Sequence, residues 1–189
     1  MLREPVGDPV PSEDPWVFGY GSLMWRPGFA PAERVSAVLH GRRRAFCIYS
    51  VHHRGTPQRP GLVLGLTRGG SVRGIALRVP RADWSRVHAY LTEREQPTET
   101  YVEARVRIRL ADGRRLTAVS FLSDTTHPQW AGGLDAESQA RLIAGASGLS
   151  GSNVDYLEDL VAHLRDEGMA DTGMETLLER VRNLECAAT

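Results

Sequence analysis

The stretch YVEARVRIRLADGRRLTAVSFL (101–122) decides the fold class of this 189-residue chain. In its first ten residues apolar side chains alternate with polar ones, as in a strand that turns one face toward a core. The apolar positions are Val102, Ala104, Val106, Ile108 and Leu110. Asp112 and Gly113 then predict a tight turn into a second strand, RLTAVSFL (115–122). The stretch therefore predicts an antiparallel hairpin.

Shorter strands are predicted on the N-terminal side of this hairpin. The runs are bounded by turn residues and are rich in β-branched or aromatic side chains. They are WVFG (16–19), ERVSAVL (33–39), RAFCIYSV (44–51), LVLGLT (62–67) and RGIALRV (73–79). Gly69 and Gly70 lie between the last two runs and favour a further hairpin.

Helical spacing of apolar residues appears in three places. It predicts an amphipathic helix over residues 83–94, between two strands. Near the C-terminus it predicts a helix that begins at Ser152 or Asn153 and ends at Gly168. A last helix is predicted from Thr172, with a glutamate three residues later as in a capping box.

Together these elements predict an α+β fold with six or seven mostly antiparallel strands, arranged as one sheet or a partly closed barrel. One helix is inserted and the others follow at the C-terminus. The chain has no βαβ periodicity, which argues against a Rossmann sheet. We expect a flexible, proline-rich leader over residues 1–15 and a single domain over residues 16–189.

Composition excludes several classes of chemistry. All 23 basic residues are arginine, so no lysine is present for a phosphate loop or a Schiff base. The two cysteines, Cys47 and Cys186, are too few for a structural zinc site or a disulfide framework. We therefore expect no metal and no cofactor. No signal peptide or membrane span is evident, and we expect a cytoplasmic protein.

The charge is balanced over the whole chain but not along it. Formal net charge is zero, so we expect neither nucleic acid nor a membrane surface as a partner. Residues 34–115 nevertheless contain 17 arginines and 6 acidic residues, a surplus of +11. An anionic small substrate would suit that segment. The run Arg42, Arg43 and Arg44 is interpreted as part of a solvated face.

The turn GYGSL (19–23) is the first candidate for a binding site. Its consecutive backbone N–H groups form a nest that can hold a carboxylate or an oxyanion, and its glycines let a ligand approach the main chain. The alternative is a purely structural turn between a strand and a loop. The pattern alone favours that alternative.

Glu95 is the second candidate. The apolar stripe of the predicted helix continues from Leu91 to position 95, where a carboxylate replaces the expected apolar residue. Partial desolvation there would raise its pKa toward a value useful for proton transfer near neutrality. The alternative is a helix-end glutamate that pairs with Arg94. Tyr101 could hydrogen-bond either a substrate or the Glu95 carboxylate.

Four segments together resemble the ChaC family of glutathione-specific γ-glutamylcyclotransferases. They are VFGYGSLMWRPGF, HRGTPQRPGLVLGL, YLTEREQPTETY and GLSGSNVDYLEDLVAHLR, and they occur in the family's order from about Trp16 to Arg182. The resemblance implies that Glu95 of YLTERE is the catalytic residue. It also implies that one loop cradles the γ-glutamyl group, through Val17, Phe18, Gly19, Tyr20, Gly21, Ser22 and Leu23; Tyr101 is taken as a further substrate contact.

The resemblance implies cleavage of glutathione to 5-oxoproline and cysteinylglycine, without metal or cofactor. The substrate's own α-amine would attack its γ-carbonyl, with Glu95 acting as general base and then as general acid. Two alternatives stay open. One is a cyclotransferase for other γ-glutamyl peptides or γ-glutamylamines, and the other is a non-catalytic regulatory homologue. The sequence leaves the oligomeric state undetermined.

Overall fold

The computed structural model describes residues 12–95 and 100–187. Most of the predicted leader, residues 1–11, lies outside the described residues, as does Glu99. Five longer strands are β1 (Trp16–Gly19), β2 (Glu33–Ser50), β3 (Gly61–Arg78), β4 (Tyr101–Leu110) and β5 (Arg115–Ser123). Two short strands, β6 (Ser147–Gly148) and β7 (Gly151–Ser152), precede the C-terminal helices.

The five longer strands form a closed barrel in the order β1-β3-β2-β4-β5. Neighbouring strands run antiparallel, except that β1 and β5 meet in parallel at Val17 and Val119. The predicted α+β class and the antiparallel pairing of β4 with β5 are confirmed. The predicted sheet of six or seven strands is wrong, because β6 and β7 form a separate two-stranded sheet.

The strand count differs because two pairs of predicted strands are continuous. Residues 33–50 and residues 61–78 are each one strand of 18 residues, and they pair along nearly their whole length. The pairing register of β2 with β3 shifts between His40 and Arg42. Three glycines with positive φ lie at this shift: Gly41, Gly69 and Gly70. An irregularity that bends both strands therefore replaces the predicted hairpin at Gly69 and Gly70.

Four α-helices accompany the barrel within the described residues: α1 (Trp84–Glu95), α2 (Ala136–Ala144), α3 (Asn153–Asp166) and α4 (Thr172–Ala187). The predictions for α1, α3 and α4 are confirmed, and α2 was not predicted. The Ser152 side chain caps α3. The cap of α4 is Asp171, whose carboxylate accepts from backbone amides of the first turn. None of these helices is long and apolar enough to cross a bilayer.

The core consists of two clusters of buried side chains. One cluster comes from the five barrel strands alone and includes Phe18, Leu66 and Ile108. The second joins the strands to the helices, with Leu91 of α1 and Leu157 of α3 among its members. Helices α1 and α3 are therefore fixed against the barrel by apolar packing, and residues at their ends are held in defined positions.

Asn153, at the start of α3, is a fully buried polar residue that attaches this helix to β3. Its Oδ1 accepts from the Leu62 amide at 2.6 Å, and its Nδ2 donates to the Leu62 carbonyl at 2.7 Å. The side chain thus satisfies both backbone groups of one strand residue. The Asn153 amide also donates to the Ala146 carbonyl at 2.9 Å.

Replacing Asn153 with leucine should lower the free energy of unfolding by about 2–6 kcal/mol. The variant keeps the side-chain size but leaves the buried Leu62 amide and carbonyl without partners, at about 1–3 kcal/mol each. Urea denaturation measures the change. Asn183→Leu, on the exposed side of α4, is the matched control and should change it by less than about 0.5 kcal/mol. Equal stability of the two variants would contradict this role of Asn153.

Candidate active site

A small cavity of about 60 Å³ lies where the loop after β1 meets the end of α1. Both candidates from the sequence contribute to its wall, although they are more than 70 positions apart in the chain. The lining residues are Phe18, Tyr20, Gly21, Ser22, Leu23, Leu64, Glu95, Tyr101, Phe121 and Tyr156. The tertiary structure therefore brings the glycine-rich turn and the helix-end carboxylate together.

Glu95 is the last residue of α1 and continues the buried stripe that contains Leu91. Its side chain is 20% exposed. Burial raises the pKa of Glu95 above the ordinary value of 4.5, and the neighbouring Arg94 guanidinium opposes this shift. By contrast, backbone hydrogen bonds lower the pKa values of Asp124 and Asp135. Glu95 is thus a weaker acid than a solvent-exposed glutamate, because its pKa is raised.

Arg94 connects Glu95 to the loop after β1. Its Nε lies 3.0 Å from Oε1 of Glu95. Its Nη2 donates to the Ser22 hydroxyl at 2.9 Å, while Nη1 donates to the Tyr90 hydroxyl at 3.0 Å and to the Arg26 carbonyl. The carboxylate therefore pairs with Arg94, as one sequence interpretation expected, and it also lines the cavity.

The loop from Tyr20 to Leu23 passes close to its neighbours. Ser22–Met24 form a single 3-10 turn, closed by a 2.8 Å bond from the Met24 amide to the Gly21 carbonyl. A Cβ atom added at Gly21 would lie 2.9 Å from the Leu64 side chain, so glycine fits there without displacing a cavity residue. The first N–H groups of such a turn have no partner within it and can serve a ligand.

Tyr20 is held at both its hydroxyl and its carbonyl. The hydroxyl donates to the Phe121 carbonyl at 2.7 Å, and the carbonyl accepts from Nε of Arg44 at 2.7 Å. Arg44 is buried, so its predicted place on a solvated face is wrong. The error arises because the long strand β2 carries Arg44 beneath the loop and the start of α4, which no local pattern reveals.

Two further tyrosines meet the backbone of Leu64 in β3. The Tyr101 hydroxyl donates to the Leu64 carbonyl at 2.6 Å, and the Leu64 backbone also interacts with the Tyr156 hydroxyl and lowers its pKa. Both tyrosines line the cavity, but Tyr101 uses its proton on a carbonyl rather than on Glu95. Burial raises the pKa of Tyr156 to about 12 and raises the pKa of Tyr101 well above 10. The tyrosines therefore stay protonated near neutrality.

Two of the predicted site residues do not line the cavity. Val17 is fully buried in the core, and Gly19 packs against Leu23, whose Cβ would lie 3.0 Å from an added Cβ at Gly19. Sequence reasoning missed Leu64, Phe121 and Tyr156 as lining residues. Tyr156 lies in the quoted segment GLSGSNVDYLEDLVAHLR, but its position in the first turn of α3 gave no signal that it lines the same cavity as Glu95.

The arginine surplus of residues 34–115 is only partly at this site. Arg44 and Arg94 contact the loop after β1, whereas Arg105, Arg107 and Arg109 are exposed along β4. A larger open cleft of about 670 Å³ is lined by Arg107 and Arg109 near the far end of that strand. Most of the surplus therefore faces solvent and does not surround the cavity.

The beginning of β4 departs from the predicted alternation. Val102 was predicted to face the core but is 43% exposed, whereas Tyr101 is half-buried at the cavity. Strand β4 pairs with β2 only at residues 108–110, so its first residues extend past that contact. Beyond the paired segment, the two faces of the strand no longer correspond to core and solvent.

The fold and this site define a class of protein: a small, mostly antiparallel barrel in which a partly buried carboxylate and a glycine-rich loop line one cavity. Within residues 12–95 and 100–187, no three histidine, cysteine, aspartate or glutamate side chains are grouped so that they could hold a metal ion. The model of the ChaC-like protein family matches residues 15–184. The chain belongs to this family.

Two similar proteins align with most of this chain. The glutathione-specific gamma-glutamylcyclotransferase of Escherichia coli (strain K12) is 39% identical over 175 residues, which are 92% of this chain and 76% of that protein. Glutathione-specific gamma-glutamylcyclotransferase 1 of Rattus norvegicus is 30% identical over 196 residues, covering 95% of this chain and 88% of that protein.

A solved structure has the same fold. It is the crystal structure of a gamma-glutamyl cyclotransferase specific to glutathione from yeast, with a TM-score of 0.81 and 25% sequence identity. The match covers 92% of this chain and all of that one. The predicted γ-glutamylcyclotransferase-like fold is therefore confirmed.

The raised pKa of Glu95 predicts how the free energy of unfolding changes with pH. Between pH 4.5 and the raised pKa, the folded protein keeps a proton that the unfolded chain has lost, so stability falls as the pH rises through this window. Glu95→Gln removes the titrating group. The variant should be more stable than the wild type at pH 8, and this advantage should disappear below pH 4.5.

Urea denaturation at pH 4 and at pH 8 measures both differences. Glu93→Gln is the matched control, since Glu93 is exposed on the same helix. It should stay within about 0.5 kcal/mol of the wild type at both pH values. A Glu95→Gln variant that is less stable than the wild type at pH 8 would contradict the direction of the shift.

Proposed function

We propose that this protein is a glutathione-specific γ-glutamylcyclotransferase and that Glu95 is its general acid and base. The observation that carries the proposal is the Glu95 carboxyl group, which lines a small cavity together with the loop after β1 and has a raised pKa. Membership in the ChaC-like family and the names of the bacterial and mammalian relatives support the substrate.

The reaction needs one group that first accepts a proton and then donates it. Near neutrality the α-amine of the γ-glutamyl group is an ammonium, so Glu95 removes a proton before the nitrogen attacks the γ-carbonyl carbon. The new carbon–nitrogen bond closes the five-membered lactam. As the bond to the cysteinyl nitrogen breaks, Glu95 returns the proton to the leaving amine. The attacking nitrogen then loses its second proton, the released amine takes up a proton to become an ammonium, and the products are 5-oxoproline and cysteinylglycine. A raised carboxyl pKa suits both transfers.

The loop contributes by orientation and charge stabilisation. Holding a reacting amine close to its carbonyl can lower a barrier by about 7–11 kcal/mol relative to a bimolecular reference. The N–H groups at the start of the 3-10 turn would either grip the substrate α-carboxylate or stabilise the oxyanion that forms during attack.

The tyrosines shape the cavity and leave proton transfer to Glu95. Tyr20 and Tyr101 donate their hydroxyl protons to backbone carbonyls, and burial keeps both pKa values well above 10. Cys47 is also buried, and burial raises the pKa of its thiol to about 12, so it is a poor nucleophile. Both cysteines are unpaired, which supports the expected cytoplasmic location.

Purified protein incubated with glutathione should release 5-oxoproline and cysteinylglycine in equal amounts, measured by mass spectrometry. A parallel panel of γ-glutamyl amino acids and γ-glutamylamines tests the alternative substrates. Glutathione should give the highest kcat/KM. A higher kcat/KM for another member of the panel would show that this compound, and not glutathione, is the preferred substrate. Absence of 5-oxoproline release from every member would reject the cyclotransferase function.

Glu95→Gln should lower kcat by about 100-fold or more, because the amide cannot accept the ammonium proton. Wild-type kcat/KM should also rise with pH through a midpoint above 4.5, the ordinary pKa of glutamate. Release of 5-oxoproline measures both effects. Glu93→Gln should match the wild type, and a Glu95→Gln variant with near-normal turnover would remove Glu95 from the mechanism.

A further inference from the structure

Arg44 places a guanidinium beneath the loop after β1. Its side chain is only 2% exposed. Nε donates to the Tyr20 carbonyl at 2.7 Å, and Nη2 donates to the Arg73 carbonyl in β3. Nη1 lies 3.3 Å from Oδ2 of Asp171. One cation therefore joins the loop to the barrel and to the residue that caps α4.

This arrangement is costly. Burial lowers the pKa of Arg44, with Asp171 opposing the shift. The Asp171 side chain is 25% exposed, so solvent weakens the only carboxylate interaction that the structure shows for this guanidinium. Apolar residues of similar volume often stabilise a fold as well as a buried ion pair does. Stability alone is therefore a weak reason for an arginine at this position.

The hydrogen bond to Tyr20 fixes the direction of the following N–H group. The described chain has no cis peptide bonds, and in a trans peptide the carbonyl and the next N–H point in opposite directions. The carbonyl of Tyr20 points at Arg44, so the Gly21 N–H points away from Arg44. Gly21 lines the same cavity as Glu95.

We infer that Arg44 is a positioning residue, which holds the Tyr20–Gly21 peptide so that the Gly21 N–H is directed into the cavity toward the substrate. A cationic donor on the carbonyl also polarises the peptide and makes its N–H a stronger donor. Arg44 acts through this peptide and does not itself line the cavity. The inference rests on the proposed function, since it assigns a role within that reaction.

Arg44→Lys tests this role. Lysine keeps the charge but replaces the planar fork with a single nitrogen, which cannot reproduce the bonds to Tyr20, Arg73 and Asp171 together. We expect kcat/KM for glutathione to fall about 10- to 100-fold, as for a misplaced donor. The pH midpoint of kcat/KM should not move, because Glu95 is untouched. Arg43→Lys, at the exposed neighbouring position, should keep wild-type kinetics.

The division of the loss between kcat and KM identifies what the N–H binds. A fall in kcat alone indicates the oxyanion of the transition state, whereas a rise in KM indicates the substrate carboxylate. Either result supports the positioning role. Wild-type kcat and KM in folded Arg44→Lys would overturn the positioning role. A loss of activity that is fully explained by a smaller fraction of folded protein would also overturn it.

A second readout does not depend on turnover. In ¹⁵N-labelled protein, the Gly21 amide resonance should shift when 5-oxoproline is added to the wild type, and this response should be lost in Arg44→Lys but kept in Arg43→Lys. If the wild type releases no 5-oxoproline from glutathione, the proposed function fails. The positioning role fails separately if Arg44→Lys retains the full Gly21 response.

Discussion

Desolvation of the Glu95 carboxyl group is the constraint on which the site depends. Helix α1 buries its stripe against the barrel, and the same packing that covers Leu91 carries Glu95 to the cavity wall. An unpaired carboxylate there would be expensive, and Arg94 at 3.0 Å offsets part of that cost. The net effect raises the pKa of the carboxyl group, because burial outweighs Arg94 in setting the direction of the shift.

Buried polar groups hold the surroundings of Glu95 in place. Asn153 makes the hydrogen bonds to the Leu62 backbone that a neighbouring strand would otherwise make. It thereby holds the first turn of α3, from which the Tyr156 side chain extends to Leu64. Tyr101 occupies the carbonyl of that same Leu64. The pairing register of β2 with β3 shifts beside this point, between Phe46 and Ile48, which disrupts the regular ladder next to the two tyrosines. An irregular strand thus supports a defined cavity wall.

The sequence could predict elements whose signal is local. Alternation identified β4, and the step of four from Leu91 to Glu95 identified the carboxylate, because both depend only on the periodicity of one element. The glycines at 41, 69 and 70 show the limit of this approach. A glycine with positive φ occurs both in a hairpin turn and in a bend within a long strand. The sequence therefore predicted a hairpin at Gly69 and Gly70, within β3, and two separate strands on either side of Gly41, within β2.

By itself, the sequence determined the α+β class and three of the four described helices. Its resemblance to the ChaC family predicted the loop and the glutamate of the candidate site. Only the tertiary structure decided that Arg44 is buried under Tyr20 and that Phe121 and Tyr156 complete the cavity. Residue 156 follows residue 95 by about 60 positions, and no periodic pattern relates them. Contacts of this kind arise when the barrel closes and the helices pack on it, since burial and electrostatics depend on neighbours in space rather than along the chain.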